Sequence, residues 1–505
     1  MSFLYINSIP SKNIASTLSK SYIKHEYSFS EHVITAYQYK NESSREPFFE
    51  NKFTGGVVIV SGWFLINGQF NDYEYLLDLI ESIGVKSALQ KVEAGTFSGC
   101  YFNPKYNSIK FFQDPTALLS HYYSTNVKPQ VSPEVASLVR RHDPAMEDFL
   151  SSQGHLYSYR TVDSKVRRVL PFEVLEIEVE SIISSYSPED IINYSFAGKE
   201  SKGLDLSSHE LFRKHDLSTV CALSSGFDSR YITLKYEPNR SYTWGPMNSQ
   251  DQIIAKKIAD ELNIEHSSFN YLTPQVVDSD RDIAIDLFKG VVKAPMTQLI
   301  ANYRYSKELS CDHEFSLDGY LGGVFQRGSY ANFGGLVGEM FKIFPGIYKH
   351  VGISDKYMLR NRYKNLSKHN FECLYEDYLE KTALIKKCVY SKVSFYEVFY
   401  GRGARYMSTG GIVMNSLYYS VFAPFLSKSY LNYFFSKDFG SVVDYSQFKI
   451  LWAMQPKSSG IHFLRSLKSE GGFSPKTPKI YIPLISFLGR VNTHINPMRK
   501  NYLRE

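Results

Sequence analysis

Residues 217–262 repeat one rhythm twice: a short apolar run, an abrupt polar turn, then a helical stretch. Val220–Leu223 reads as a strand, Arg230–Tyr236 as a helix start, Arg240–Trp244 as a strand and Gln250–Leu262 as a helix. That is the βαβ pattern of a parallel sheet, and it constrains the fold of the second half more than any other feature. The first turn, in "CALSSGFDSRYITLKY" (221–236), is built from small and polar residues. A strand ending at Leu223 delivers that turn to the ligand crevice of such a sheet. Backbone N–H groups at a strand-to-helix turn point outward unpaired and suit an anion. Ser224, Ser225 and Ser229 add hydroxyl donors. Asp228 repels a bare phosphate, but it fits if Mg²⁺ bridges its carboxylate to phosphate oxygens. A serine-capped helix with an acidic first turn fits the same residues, and the stretch alone does not separate the two.

The first 180 residues or so read as β-rich, from alternation and turn signals. "GGVVIVSGWFLINGQF" (55–70) is a strand with a turn at Asn67-Gly68. Asp72–Ile83 has helical spacing, with Tyr75, Leu76, Leu79 and Ile80 on one face. Residues 95–114 form a hairpin turning at Asn103-Pro104, and 166–180 a strand pair broken at Pro171. From about 330 onward the chain reads as mostly helical and Tyr-rich. "AGKESKGLDLSS" is polar and unpatterned and places a boundary near 190–205.

At 505 residues the chain exceeds one ordinary core. Its 57 basic and 51 acidic residues are well mixed, so the formal charge of +6 carries no nucleic-acid or membrane-surface signal. Five cysteines, Cys100, Cys221, Cys311, Cys373 and Cys388, are widely spaced with no metal-type pairing. This fits a reducing compartment rather than a disulfide framework or a zinc site. The N-terminal residues lack a secretion-signal pattern, and no apolar run approaches a membrane span. The expectation is cytoplasmic. Aromatic content is high at 15%; ligand recognition and compositional bias both account for it.

The joint and the segment "SYTWGPMNSQDQIIAKKIADELNIEHSSFNY" (241–271) together resemble the adenylating core of the N-type ATP pyrophosphatases, specifically the synthetase half of glutamine-dependent asparagine synthetase. Ser224-Ser225-Gly226-Phe227-Asp228-Ser229 stands where that family has Ser-Gly-Gly-x-Asp-Ser. Gly245, Asp251, Ala255, Ala259 and His266 stand at matching spacings. The first half resembles the same family's class II glutaminase domain, with Asn67, Gly68 and Asn71 of its Asn-Gly turn and Asp114, Pro115 and Tyr122-Tyr123 of a later motif. "APFLSKSYLNYFFS" (423–436) is similar to a C-terminal motif, so the resemblance touches about 60 to 440. It implies an α/β protein with a degenerate Ntn-type αββα sandwich domain over 1–190. A doubly wound, adenine nucleotide α-hydrolase-like domain with a helical C-terminal part would follow over 205–505.

Three departures qualify the resemblance. A working class II glutaminase needs a terminal thiol nucleophile, whereas this chain begins Met1-Ser2-Phe3 and carries Gln69 in place of the glutamine-handling Glu. In "SLDGYLGGVFQRGSY" (316–330), with Gly319 as anchor, Gly323 falls where the family has a second metal-holding Asp; Asp318, across the glycine, is the candidate substitute. Ser225 replaces a glycine in the phosphate turn, which is tolerable only if its φ stays negative.

The resemblance implies an ATP-dependent ligase. It would activate a carboxylate as an acyl-adenylate, release pyrophosphate and form an amide with an amine, without its own ammonia supply. The expected cofactors are ATP and Mg²⁺. Ser224, Ser225, Gly226, Phe227 and Ser229 would cradle pyrophosphate, with Asp251 and Gly319 at the nucleotide site. Leu223, Trp244 and Gly245 would hold adenine by their backbone. Asp228 and Asp318 would hold metal. Arg230, Arg327 or Lys468 would neutralise developing charge. Arg402 and Arg405, among glycines in "EVFYGRGARYMSTGG" (397–411), suit either contact with a substrate carboxylate or a helix surface. Partners would be small-molecule or peptide acids and amines, with no nucleic acid or membrane; a homodimer is the assembly allowed for. The competing expectation is a pseudoenzyme that keeps the fold as a binding scaffold. Sulfur transfer to tRNA would need a reactive cysteine, but Cys221 lies inside a strand and no basic face shows.

Overall fold

A computed structural model describes residues 3–40, 46–106, 108–124, 128–196, 217–270, 278–293, 305, 307–309 and 315–443. In the first half these residues form β1 (Leu4–Ile6), β2 (Tyr22–Phe29), β3 (His32–Tyr39), β4 (Phe48–Glu50), β5 (Val57–Ile66), β6 (Gln69–Phe70), β7 (Val92–Asn103), β8 (Ser108–Gln113), β9 (Tyr122–Ser124), β10 (Gln130–Ser132), β11 (Val166–Arg168), β12 (Val174–Ile177) and β13 (Ile182–Ser185). They build two antiparallel sheets, ordered β11-β9-β10-β1-β3-β2 and β13-β12-β8-β7-β5-β4, with β6 folded back on β5.

Alternation explains the layering, because successive side chains of a strand point to opposite faces. Leu4, Ile6, Ile34 and Ala36 of one sheet form a single apolar cluster with Val57, Ile59, Cys100, Ile109 and Phe111 of the other, filling the space between the sheets. Their neighbours Phe3, Tyr5, Val58 and Val60 point away and join the cluster that contains Ile14 and Leu18 of helix Lys12–Ser21 and Leu76, Leu77 and Ile80 of helix Tyr73–Ile83. Helices therefore cover the outer faces.

The hairpin joining β5 and β6 turns on Asn67 and Gly68, both at positive φ, the conformation that an Asn-Gly hairpin turn requires. Asn71 Oδ1 accepts the Phe64 amide at 2.9 Å, and Asp72 caps the next helix by accepting from the Tyr75 amide. The expected hairpin over 95–114 is β7 paired with β8. The expected pair over 166–180 is corrected: β11 pairs with β9 in one sheet and β12 with β8 in the other. Pro171, which has no N–H to give a ladder, lies where the chain crosses between sheets.

The second half forms β14 (Thr219–Ala222), β15 (Arg240–Gly245), β16 (Glu265–Asn270), β17 (Phe315–Leu317) and β18 (Ser420–Phe422). All four pairings are parallel, in the order β16-β15-β14-β17-β18. The first strand is thus central: the next two lie to one side and the last two to the other. This doubly wound order puts a topological switch point beside the carboxyl end of β14. Helices Phe227–Tyr236 and Gln250–Glu261 follow β14 and β15, each within a few residues of the expected bounds.

The halves lock through Trp63. Its Nε1 donates to the Val421 carbonyl at 3.0 Å, and its ring meets Phe315 and Phe422 edge-on. Buried tyrosines absorb much of the aromatic content. Tyr231 and Tyr430 share a hydroxyl hydrogen bond at 2.7 Å, and Tyr363 and Tyr396 donate to Glu397 and Asp377. Of the boundary expected near 190–205, residues 190–196 belong to helix Pro188–Phe196, and 197–205 lie outside the described residues. No helix among the described residues is long and apolar enough to cross a membrane.

Candidate functional site

The turn after β14 and the turn after β17 meet at the switch point. Leu223 continues β14; its amide donates to the Tyr242 carbonyl at 2.8 Å and its carbonyl accepts from Thr243 Oγ1. The backbone expected to face adenine at Leu223 is thereby engaged within the sheet. Trp244 and Gly245 end β15, paired with Phe269 and Asn270. Gln252 Nε2 ties the Gly245 and Phe269 carbonyls together at 3.1 and 2.9 Å. Sequence reasoning missed Gln252, because a glutamine in an amphipathic helix carries no signal of its own.

Gly226 caps the helix that begins at Phe227, earlier than the expected Arg230. Ser225 does not take a positive φ, so its side chain is accommodated as the departure from glycine required. The turn is internally bonded. The Ser224 amide donates to Ser229 Oγ at 3.0 Å, the Gly226 amide to Ser224 Oγ at 3.0 Å, and the Ser225 amide to Asp251 Oδ1 at 2.9 Å. Asp251 arrives from the first turn of the second helix, which Ser249 caps. Ala255 and Ala259 pack that helix against Leu223 and Phe227, and the small side chains bring the two turns close. His266 pairs with Ser241 in register and shares hydrogen-bond contacts with the Ser241 and Thr243 hydroxyls; burial pushes its pKa down to about 4.

Arg230, expected to neutralise charge, has structural partners in the turn. It is fully buried, its guanidinium lies over the Phe227 ring, and it donates to the Ser225 carbonyl at 3.0 Å. Burial lowers its pKa to about 10 by disfavouring the cation. It supports the turn through the Ser225 carbonyl. Arg405 is a correction. It is buried, donates to the Ser158 and Arg160 carbonyls, and burial lowers its pKa to about 9. The cavity beside it, about 20 Å³, has room for about one water and none for a substrate. Arg402 is exposed and lies over Tyr406. Arg327 ends helix Gly322–Arg327, its side chain outside the described residues, as are Ser2 and Lys468. Gln69 is exposed.

Asp228 lies beneath the second turn. A Cβ on Gly322 would sit 2.7 Å from Asp228 Cγ, and one on Gly319 3.0 Å from the Ser229 amide nitrogen. Between these glycines Leu321 holds φ at +62°, an uncommon conformation for a branched side chain. Such outliers persist where the surroundings enforce them, and they cluster at functional sites. Asp318 opens this turn, its amide bonded to the Phe422 carbonyl. Its carboxylate packs so tightly on Gly411 that a Cβ there would collide with Oδ2. Burial raises its pKa to about 6. The geometry thus brings together Ser224–Ser229, Asp251, Asp318 and Gly319. Cys221 is buried in β14, and burial pushes its pKa up to about 12.

No protein-family model matches the sequence, and no curated protein does. Among solved structures, glutamine phosphoribosylpyrophosphate amidotransferase from B. subtilis, complexed with ADP and GMP, is similar at 13% identity and a TM-score of 0.21; the match covers 60% of this chain and 63% of that one. A second, described as the allosteric regulatory enzyme of purine biosynthesis, matches at 12% identity, a TM-score of 0.22 and the same coverage.

Proposed function

We propose that the protein is an ATP-dependent carbon–nitrogen ligase that activates a carboxylate with release of pyrophosphate and passes the acyl group to an amine. The observation that carries this reading is the seating of Asp228 beneath the Gly319–Gly322 turn at the switch point, with Asp318 opening that turn. Carboxylate oxygens are the donors that Mg²⁺ takes, and Asp228 and Asp318 are the residues that would hold a metal to neutralise phosphate charge. Ser224, Ser229 and the 225–227 amides would hold the pyrophosphate portion. The β14 and β17 turns would orient the acid against ATP, and burial around Asp318 would exclude water.

ATP–pyrophosphate exchange with Mg²⁺, run across panels of amino acids, sugar acids and short peptides, tests the reading. One acid should support exchange, and Asp228→Asn should abolish it. Absence of nucleotide binding by calorimetry, together with absence of exchange, rejects it.

The second reading is a pseudoenzyme scaffold. It is favoured by the bonding of the Ser224 and Gly226 amides within the turn, of the Ser225 amide to Asp251, and by the burial of Arg230.

A further inference from the structure

We infer that Asp251 is a built-in competitor for the anion taken by the 224–229 turn: its carboxylate holds the Ser225 amide, and an arriving phosphate must displace it. This rests on the nucleotide reading above and adds to it a means of regulating the seat.

The contact joins groups 26 residues apart at 2.9 Å and is made by tertiary packing rather than local turn geometry. Asp251 is not needed as the cap of its own helix, because Ser249 Oγ accepts the Gln252 amide there. The chain has instead set a carboxylate from a second element on a backbone N–H at a strand-to-helix turn, where charge-assisted hydrogen bonds to anions are strong. A phosphate oxygen on the same N–H would meet the carboxylate at contact distance, and like charges there repel. Both cannot occupy it. The displaced carboxylate keeps one favourable interaction. Asp251 lies in the first turn of helix Gln250–Glu261, where the dipole favours negative charge. The turn thus has two alternatives, one closed by Asp251 and one open to phosphate. Ser224 Oγ accepts the Gly226 amide and shares a hydrogen bond with Ser229 Oγ, so these two contacts lie within the turn, unlike the one from Asp251.

Calorimetric titration of the full chain with magnesium pyrophosphate, and separately with magnesium ATP, tests the inference in wild type, Asp251→Ala and Asp251→Asn. Removing the competitor should tighten binding about tenfold or more in Asp251→Ala. Asp251→Asn should fall between, because an amide oxygen still accepts the Ser225 N–H but carries no charge. If Asp251→Ala does not fold, Asp251→Asn decides: it must bind tighter than wild type. Unchanged or weaker binding in the folded variants overturns the inference while leaving the nucleotide reading intact, since Asp251 would then be holding the turn or a metal in its bound form. If neither wild type nor any variant binds either ligand, the nucleotide reading falls and this inference with it.

Discussion

Gly322 packs on the Asp228 side chain with no space for a methyl group: a Cβ would lie 2.7 Å from Asp228 Cγ and 2.8 Å from its Oδ1. Gly322→Ala therefore has to push Asp228 or the β17 turn aside. Overpacking of this kind costs about 1–3 kcal/mol, and it should weaken magnesium-dependent nucleotide binding as strongly as Asp228→Asn does. Denaturant unfolding and calorimetry of the same samples check both parts.

Arg230→Met keeps the aliphatic stem and removes the donor to the Ser225 carbonyl. A buried carbonyl losing a charged partner should destabilise the protein by about 1–3 kcal/mol. Had the guanidinium faced a phosphate, the loss would instead appear in nucleotide affinity with stability unchanged. Urea midpoints separate the two.

Trp63→Phe deletes the Nε1–Val421 hydrogen bond and part of a buried ring between the halves. We expect a stability loss of about 2 kcal/mol or more, combining the lost hydrogen bond and the cavity left behind. Faster limited proteolysis between the halves than in wild type would accompany it.

Asp114 is fully buried, and burial raises its carboxyl pKa to about 6. Its folded pKa lies above its unfolded one, so the folded state holds the proton more tightly. Stability from this group is present at pH 4 and is lost as pH rises from about 4 to 6. Relative to Asp114→Asn, wild type should lose about 3 kcal/mol over that window. Unfolding curves at pH 4, 5, 6 and 7 for the pair would show it; a difference that stays flat with pH contradicts the assignment.

Local pattern reached far in this chain. The strands and helices of 219–262 and the Asn67-Gly68 turn follow from periodicity and turn chemistry within a few residues. β17 and β18 were not legible, because a three-residue strand is shorter than any periodicity.

What the sequence by itself determined is the set of pieces: a parallel β/α rhythm, a small-residue turn carrying an aspartate, and a β-rich first half. Tertiary structure decided their partners. It set Asp251 on the Ser225 amide, buried Arg230 against Phe227 and the Ser225 carbonyl, and brought β18 beside β17 from about a hundred residues away. It also sent the strands on either side of Pro171 into different sheets. Backbone preferences act over a few residues and can be read from them. Which buried cation or carboxylate meets which amide depends on how apolar faces pack across the whole chain, and no short stretch holds that information.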